Sequence, residues 1–179
     1  MLKKIISFEV TTRLKTPLFY LCCALMVIQV IILTKGVYDY YINDAILINS
    51  STVLYKDFAG GGMILVIVIA VITGMVLYRD IELKTAETIY TFPINEKTFF
   101  LGKFLASFIL NIIITLSFIL GMFLLPYSGI GQPNDFGSPP LLQILHGYFT
   151  LMVPNIFILT ASCYIPLVLT RKLYSSYLG

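Results

Sequence analysis

Long uncharged apolar stretches alternate with short charged segments along the chain. Three of these stretches contain no charged residue, at 17–34, 58–78 and 104–125. A fourth uncharged stretch covers 141–170. Because a helix of roughly 20 apolar residues crosses a hydrocarbon core about 30 Å thick, each stretch is long enough to span a membrane. The pattern therefore predicts four membrane-spanning helices.

The fourth stretch differs from the others in its length and in its prolines. It contains Pro154 and Pro166 and is longer than a straight span requires. Proline has no backbone N–H to donate, and its ring clashes with the preceding helical turn. We therefore expect this span to be tilted, kinked or broken.

The composition points to lipid as the solvent of this chain. Hydrophobic residues make up 58% of the sequence and charged residues 12%, whereas a soluble domain has about 25% charged residues. The net charge is only +3, and the basic residues flank apolar runs instead of forming a stripe that could follow phosphates. These features predict an all-α, polytopic transmembrane bundle and exclude nucleic acid as a partner.

The distribution of basic residues predicts the orientation of the spans. Ten of the twelve lysines and arginines fall on one side of the predicted bundle, and only Lys35 and Lys56 fall on the other. Loops rich in lysine and arginine stay in the cytoplasm. We therefore expect both ends of the chain, and the loop 79–103, to be cytoplasmic.

Residues 1–16 have the pattern of an amphipathic helix. At about 100° per residue, apolar side chains fall on one arc and polar side chains on the opposite one. The apolar arc contains Leu2, Ile5, Ile6 and Val10, and the polar arc contains Lys3, Lys4, Ser7, Thr11 and Lys15. Such a helix lies in the membrane interface. The alternative is a basic flank that only sets topology.

The loop 79–103 carries four acidic residues beside four basic ones, in a chain that otherwise has few charges. Within it, Leu83, Ala86 and Tyr90 recur at helical spacing before Pro93. A short amphipathic helix ending at the proline could press one face into the groove of a partner. The alternative is a solvated loop whose charges keep it out of the lipid.

The segment Glu82-Leu-Lys-Thr-Ala-Glu-Thr-Ile-Tyr-Thr-Phe-Pro93, followed by Leu101-Gly102-Lys103, resembles the coupling-helix region of type-2 ABC exporter permeases. The segment 1–16 resembles their elbow helix. The resemblance follows the whole chain in order, from elbow helix to a proline-interrupted fourth span. Because such permeases typically have six spans, it implies that the chain is one transmembrane domain of an incomplete permease.

This resemblance implies a permease subunit that couples ATP hydrolysis by a partner ATPase to export across a bacterial inner membrane. The permease would not itself be an enzyme and would bind no cofactor, since ATP and Mg would sit on the ATPase. A second permease and membrane lipid would be its other partners. The residues expected to contact the ATPase are Glu82, Thr85, Glu87, Tyr90 and Pro93. Nothing in the sequence identifies the substrate.

Other functions remain open at this point. A membrane scaffold could dock a soluble partner through the loop 79–103 without any transport. A membrane enzyme is disfavoured because the chain has one histidine, His146, and no charged residue in a predicted span. A weaker resemblance, in the opening residues and the Tyr-Arg-Asp and Pro-Ile stretches, is to permeases that continue into a zinc aminopeptidase domain. No metal site for such a domain lies in this sequence.

Small and polar residues inside the apolar stretches are predicted to serve packing. Three glycines at 60–62 permit close approach of helices. Asn111 and Asn155 are expected to form hydrogen bonds between helices, because an unpaired amide in lipid is costly. Asn49-Ser50-Ser51 fits a glycosylation sequon, a pattern that also arises often by chance.

Overall fold

The computed structural model describes residues 1–41, 47–82, 96–130, 135–138 and 140–170. These residues contain no β-strand, which confirms the all-α prediction. Six α-helices are present in this part of the chain, and we number them in order. They are α1 (Leu2–Leu14), α2 (Pro17–Tyr41), α3 (Ser51–Glu82), α4 (Glu96–Leu124), α5 (Leu141–Gly147) and α6 (Val153–Thr170).

Four helical stretches of the described chain are long and apolar enough to cross a membrane, as predicted. They are Pro17–Tyr38, Ser51–Leu77, Lys97–Tyr127 and Leu141–Leu169. Large apolar side chains remain exposed along these helices, for example Leu21, Leu25 and Ile28 on α2. Apolar surface of this kind suits contact with lipid.

Two helices begin earlier than the uncharged stretches suggest, and among the charged residues that each takes in, one is buried. Helix α3 starts at Ser51 and includes Asp57, which is only 1% exposed. Helix α4 starts at Glu96 and includes Lys103, which is 2% exposed. Both residues were expected to lie outside the spans. They stay inside because each has a partner: the Asp57 carboxylate accepts a 2.7 Å hydrogen bond from the Thr34 hydroxyl, and Lys103 is described below.

The irregularity expected in the fourth span is a change of helix type. Between α5 and α6 the residues Tyr148–Met152 form a π-helical turn. Pro154, the second residue of α6, has no N–H to donate to the carbonyl one turn earlier. In addition, the Thr150 hydroxyl donates a hydrogen bond to the His146 carbonyl, a contact that tends to bend helices. Pro166 lies within α6.

The chain divides into two compact units. The first unit comprises Met1–Tyr20, Val66–Ile113 and Ile156–Gly179, and the second comprises Leu21–Leu65 and Ile114–Asn155.

The first unit is held together by aromatic and polar contacts between α4 and α6. Phe104 meets Phe157 and Tyr164 edge to face, with ring centroids 5.8 and 5.4 Å apart. The Tyr164 hydroxyl donates a 2.6 Å hydrogen bond to the Phe100 carbonyl. The Asn111 amide donates to the Thr160 hydroxyl at 3.2 Å, the bond between helices that the sequence predicts for Asn111.

The second unit packs its helices around small residues and buried polar pairs. The Gln29 side chain donates a 3.0 Å hydrogen bond to the Gly61 carbonyl and so joins α2 to α3. Phe58 and Phe118 stack with centroids 5.6 Å apart. A Cβ atom on Gly61 would lie 2.9 Å from both Phe118 Cε2 and Met152 Cε. Gly61 therefore serves close packing, as the glycine run predicts.

Two short segments outside the long helices are joined to each other in the second unit. The Asn49 amide donates to the Gly137 carbonyl at 2.6 Å and accepts from the Gly137 N–H at 2.8 Å. The Ile48 N–H donates to the Asp135 carbonyl at 2.9 Å. The Tyr38 hydroxyl donates to the Asp135 carboxylate at 3.2 Å. The first three of these hydrogen bonds connect the segments 47–50 and 135–138, and the fourth ties the second segment to α2.

Substitution of Gly61 tests this packing. We expect Gly61→Ala to lower the free energy of unfolding by about 1 to 3 kcal/mol, because the added methyl group overlaps the Phe118 ring. Gly36→Ala is the matched control, since a Cβ there meets nothing within 4 Å. It should leave stability unchanged or raise it by up to about 1 kcal/mol. Thermal melting in one detergent, followed by size-exclusion chromatography, measures both; equal melting temperatures would contradict the packing.

Candidate functional site

Most of the predicted partner-contact residues lie outside the described part of the chain. Thr85, Glu87, Tyr90 and Pro93 belong to 83–95, which the structure does not describe. Glu82 is the last residue of α3, and only its helical backbone is described. Contact of these residues with an ATPase stays a prediction. The structure does describe the two helices that flank the loop, α3 and α4.

A cluster of buried charged side chains lies where α1 meets these two flanking helices. Glu9 and Arg13 of α1 are 5% and 6% exposed, and Lys103 of α4 is 2% exposed. We call Glu9, Arg13 and Lys103 the stem cluster, because it connects α1 to the helical stems of the loop. All three residues belong to the first unit.

Lys103 is the centre of the stem cluster. Its ammonium group donates one 3.0 Å hydrogen bond to the Glu9 carboxylate and another to the Val76 carbonyl of α3. The same nitrogen lies 5.2 Å from the centroid of the Phe99 ring, within range of a cation–π interaction. One side chain therefore joins α1, α3 and α4.

Arg13 supplies the second connection between α1 and α3. Its Nη2 atom donates a 2.8 Å hydrogen bond to the Met75 carbonyl and lies 3.7 Å from the Glu9 carboxylate. Met75 and Val76 lie about two turns before α3 ends at Glu82. Both cations of the stem cluster thus bind main-chain oxygens of α3 close to the start of the loop.

The backbone of α4 approaches α1 closely beside this cluster. A Cβ atom on Gly102 would lie 3.0 Å from the Ile5 Cγ2 atom and 3.3 Å from Ile5 Cβ. A residue with a side chain would push α1 away from α4. Gly102 therefore allows α4 to lie close to α1, and the next residue, Lys103, extends its side chain to Glu9 on α1.

Glu9 and Arg13 were not predicted as site residues, and neither was assigned to an arc of the helix. They are four residues apart, so they share one face of α1. At about 100° per residue, both fall inside the arc occupied by Leu2, Ile5 and Ile6. A pair of opposite charges in the middle of an apolar arc was the signal that could have identified them.

Burial makes each member of the stem cluster dependent on the others. Removing one partner from a buried ion pair leaves an unpaired charge and typically costs about 3 to 5 kcal/mol. Replacing both partners with apolar residues of similar size is often tolerated. The ion pair of Glu9 and Lys103 therefore connects α1 to α4 only when both charges are present.

The structure defines the class of protein to which the chain belongs: a helical membrane protein with four candidate spans and a buried ionic connection beside one inter-span loop. The sequence matches the family model described as ABC-2 family transporter protein over residues 6–178. The chain is a member of that family and a permease of an ABC transporter. No curated protein and no solved structure matches it. The family match does not address the weaker resemblance to permeases that carry an aminopeptidase domain.

A double-mutant cycle tests the stem cluster. We expect Lys103→Met and Glu9→Leu each to lower the free energy of unfolding by about 3 kcal/mol or more, since each removes the nearest opposite charge of a buried group. The double variant should be more stable than the sum of the two losses predicts, by at least about 1 kcal/mol.

Melting in a single detergent measures all four proteins of this cycle. Lys3→Met is the matched control for Lys103→Met, because Lys3 is exposed and belongs to the same unit. It should leave the melting temperature unchanged. Additive losses in the cycle would show that Glu9 and Lys103 do not interact.

Proposed function

We propose that this protein is the permease subunit of an ABC exporter, and that it couples ATP hydrolysis by a partner ATPase to movement of its spans. The ATPase docks on the part of the loop 79–103 that joins α3 to α4, and Glu82, Thr85, Glu87 and Tyr90 face it. Pro93 ends the short docking helix. The loop lies in the cytoplasm, as the ten-to-two distribution of basic residues indicates.

The observation that carries this proposal is the stem cluster. The loop connects α3 to α4, so a displacement of the loop acts first on the last turns of α3 and the first turns of α4. Lys103 and Arg13 connect these turns to α1 through hydrogen bonds of 2.8 to 3.0 Å. The three helices therefore move together when the docked ATPase closes. A loop that only keeps charges out of lipid does not require such a connection.

The proposed assembly contains two permease subunits and two ATPase subunits in a bacterial inner membrane. ATP and Mg are bound by the ATPase subunits. Substrate moves along a path formed with the second permease. The family match supports the permease role, and the additional subunits follow from the class of transporter.

A pull-down tests the docking part of the proposal. The permease is reconstituted in lipid with candidate ABC ATPase subunits. We expect wild type to retain an ATPase and the double variant Glu87→Arg, Tyr90→Ala to retain at least about tenfold less, a loss of roughly 1.4 kcal/mol in binding. Binding weakens because the first substitution reverses a charge and the second removes an aromatic side chain on the proposed docking face.

The matched control for this pull-down is Lys35→Glu, Tyr127→Ala. It also reverses one charge and removes one tyrosine, at two exposed positions outside the loop. It should bind the ATPase like wild type. If wild type binds no ATPase, or the loop variant binds as well as wild type, the loop is not the docking site and a scaffold role is favoured.

A second experiment separates coupling from docking. We expect the double variant Glu9→Leu, Lys103→Met to retain the ATPase in the pull-down but to reduce its ATP turnover severalfold relative to wild-type permease. Docking is preserved because 79–95 is unchanged, whereas the connection of α4 to α1 and α3 through Lys103 is lost and only the Arg13 hydrogen bond to α3 remains. Steady-state phosphate release in lipid measures turnover. Unchanged turnover would show that the stem cluster only stabilises the fold.

A further inference from the structure

The face of α1 opposite the stem cluster is exposed and basic. Glu9 and Arg13 hold one side of the helix against α3 and α4, so the other side stays open. The exposed residues on this side are Lys3, Lys4, Ser7, Phe8, Thr11 and Lys15. We call them the lysine face. We propose that the lysine face binds the headgroups of anionic phospholipids.

The chemistry of the lysine face suits phosphate groups. An open recess of about 560 Å³ is lined by the lysine face together with Thr12. Within the described part of the chain, this lining contains ammonium and hydroxyl donors and no carboxylate. The nearest acidic residue in the sequence, Glu9, is buried on the other side of the helix and bonded to Lys103. The positive charge of the recess is therefore available to an anion.

The spacing of the lysines suits a lipid surface better than a single small anion. From Lys4 to Lys15 the helix extends about 16 Å, so the positive charge is distributed along the row. Several headgroups, each with its own phosphate, can bind along such a row. A small soluble anion would reach one end of it.

Phe8 favours lipid over a soluble anion as the occupant. It lies within the lysine face and is 60% exposed, in a position that costs free energy in water. Helices that bind anionic bilayers combine lysines, which attract the headgroups, with large apolar side chains that enter the boundary between headgroups and acyl chains. Helix α1 is also separated by only two residues from α2, which begins at Pro17. The lysine face therefore lies close to the point where the chain enters the membrane.

The orientation proposed above places these lysines at the cytoplasmic leaflet. This leaflet carries anionic lipids that attract basic segments next to spans. The lipid inference depends on that orientation but not on an ATPase, so the two proposals can fail separately.

A tryptophan introduced at Phe8 reports which lipid lies against the lysine face. The natural sequence contains no tryptophan, so Phe8→Trp provides the single indole of the protein. The full chain is reconstituted in phosphatidylcholine bilayers that contain equal fractions of either brominated phosphatidylglycerol or brominated phosphatidylcholine. Bromine quenches the indole only when that lipid is in contact. No ATPase is present.

We expect brominated phosphatidylglycerol to quench the indole fluorescence of the Phe8→Trp variant more strongly, with an effective preference of about tenfold or more for the anionic lipid. Adding Lys3→Gln, Lys4→Gln and Lys15→Gln should reduce the preference to about one. Adding Lys35→Gln, at an exposed lysine elsewhere, should not change it. High salt should weaken the preference of the unaltered lysine face, a readout that does not depend on how the triple variant folds.

The same measurement with Phe149→Trp is the positional control, because Phe149 is also exposed and belongs to the second unit. It should be quenched equally by the two lipids. Equal quenching at position 8 would overturn the proposal, as would a preference that survives the three glutamines. Absence of quenching by either lipid would also overturn it, because it would show that position 8 does not contact the bilayer.

Discussion

The contact between the Glu9 carboxylate and the Lys103 ammonium, at 3.0 Å, is the interaction on which the first unit depends. Both charges are almost completely removed from solvent, so each requires the other. This requirement restricts the position of α1, because a shift of even a few ångströms would break the hydrogen bond between the two groups. The restriction also explains why glycine precedes the lysine: Gly102 lets α1 come close enough for the ion pair to form.

The spans were predictable because they depend mainly on one quantity, the free energy of transferring apolar side chains from water to lipid. A long uncharged apolar stretch is more stable in lipid than in water, whatever its neighbours are. Lipid also makes an unpaired polar group costly, which predicted that the Asn111 amide forms a hydrogen bond to another helix. It donates one to Thr160. In the fourth span, the missing N–H of Pro154 required some departure from a regular helix.

The stem cluster was not predictable in this way, because burial of a charge depends on a partner that is distant in the sequence. Glu9 and Lys103 are 94 residues apart. A scale that assigns each charge a fixed cost places Asp57 and Lys103 outside the spans. In the structure both remain within α3 and α4, where Thr34 donates a hydrogen bond to Asp57 and Glu9 pairs with Lys103. Contacts of Glu87 or Tyr90 with an ATPase depend on a second protein, so this chain alone does not determine them.

The pairing of Asn49 with Gly137 also bears on a covalent modification. Transfer of a glycan to an asparagine uses the side-chain nitrogen, and in the folded protein this nitrogen donates a 2.6 Å hydrogen bond to the Gly137 carbonyl. The sequon Asn49-Ser50-Ser51 is therefore blocked once the segments 47–50 and 135–138 have joined. Any sugar found on Asn49 after expression in a glycosylating host would have been attached to the chain before it folded.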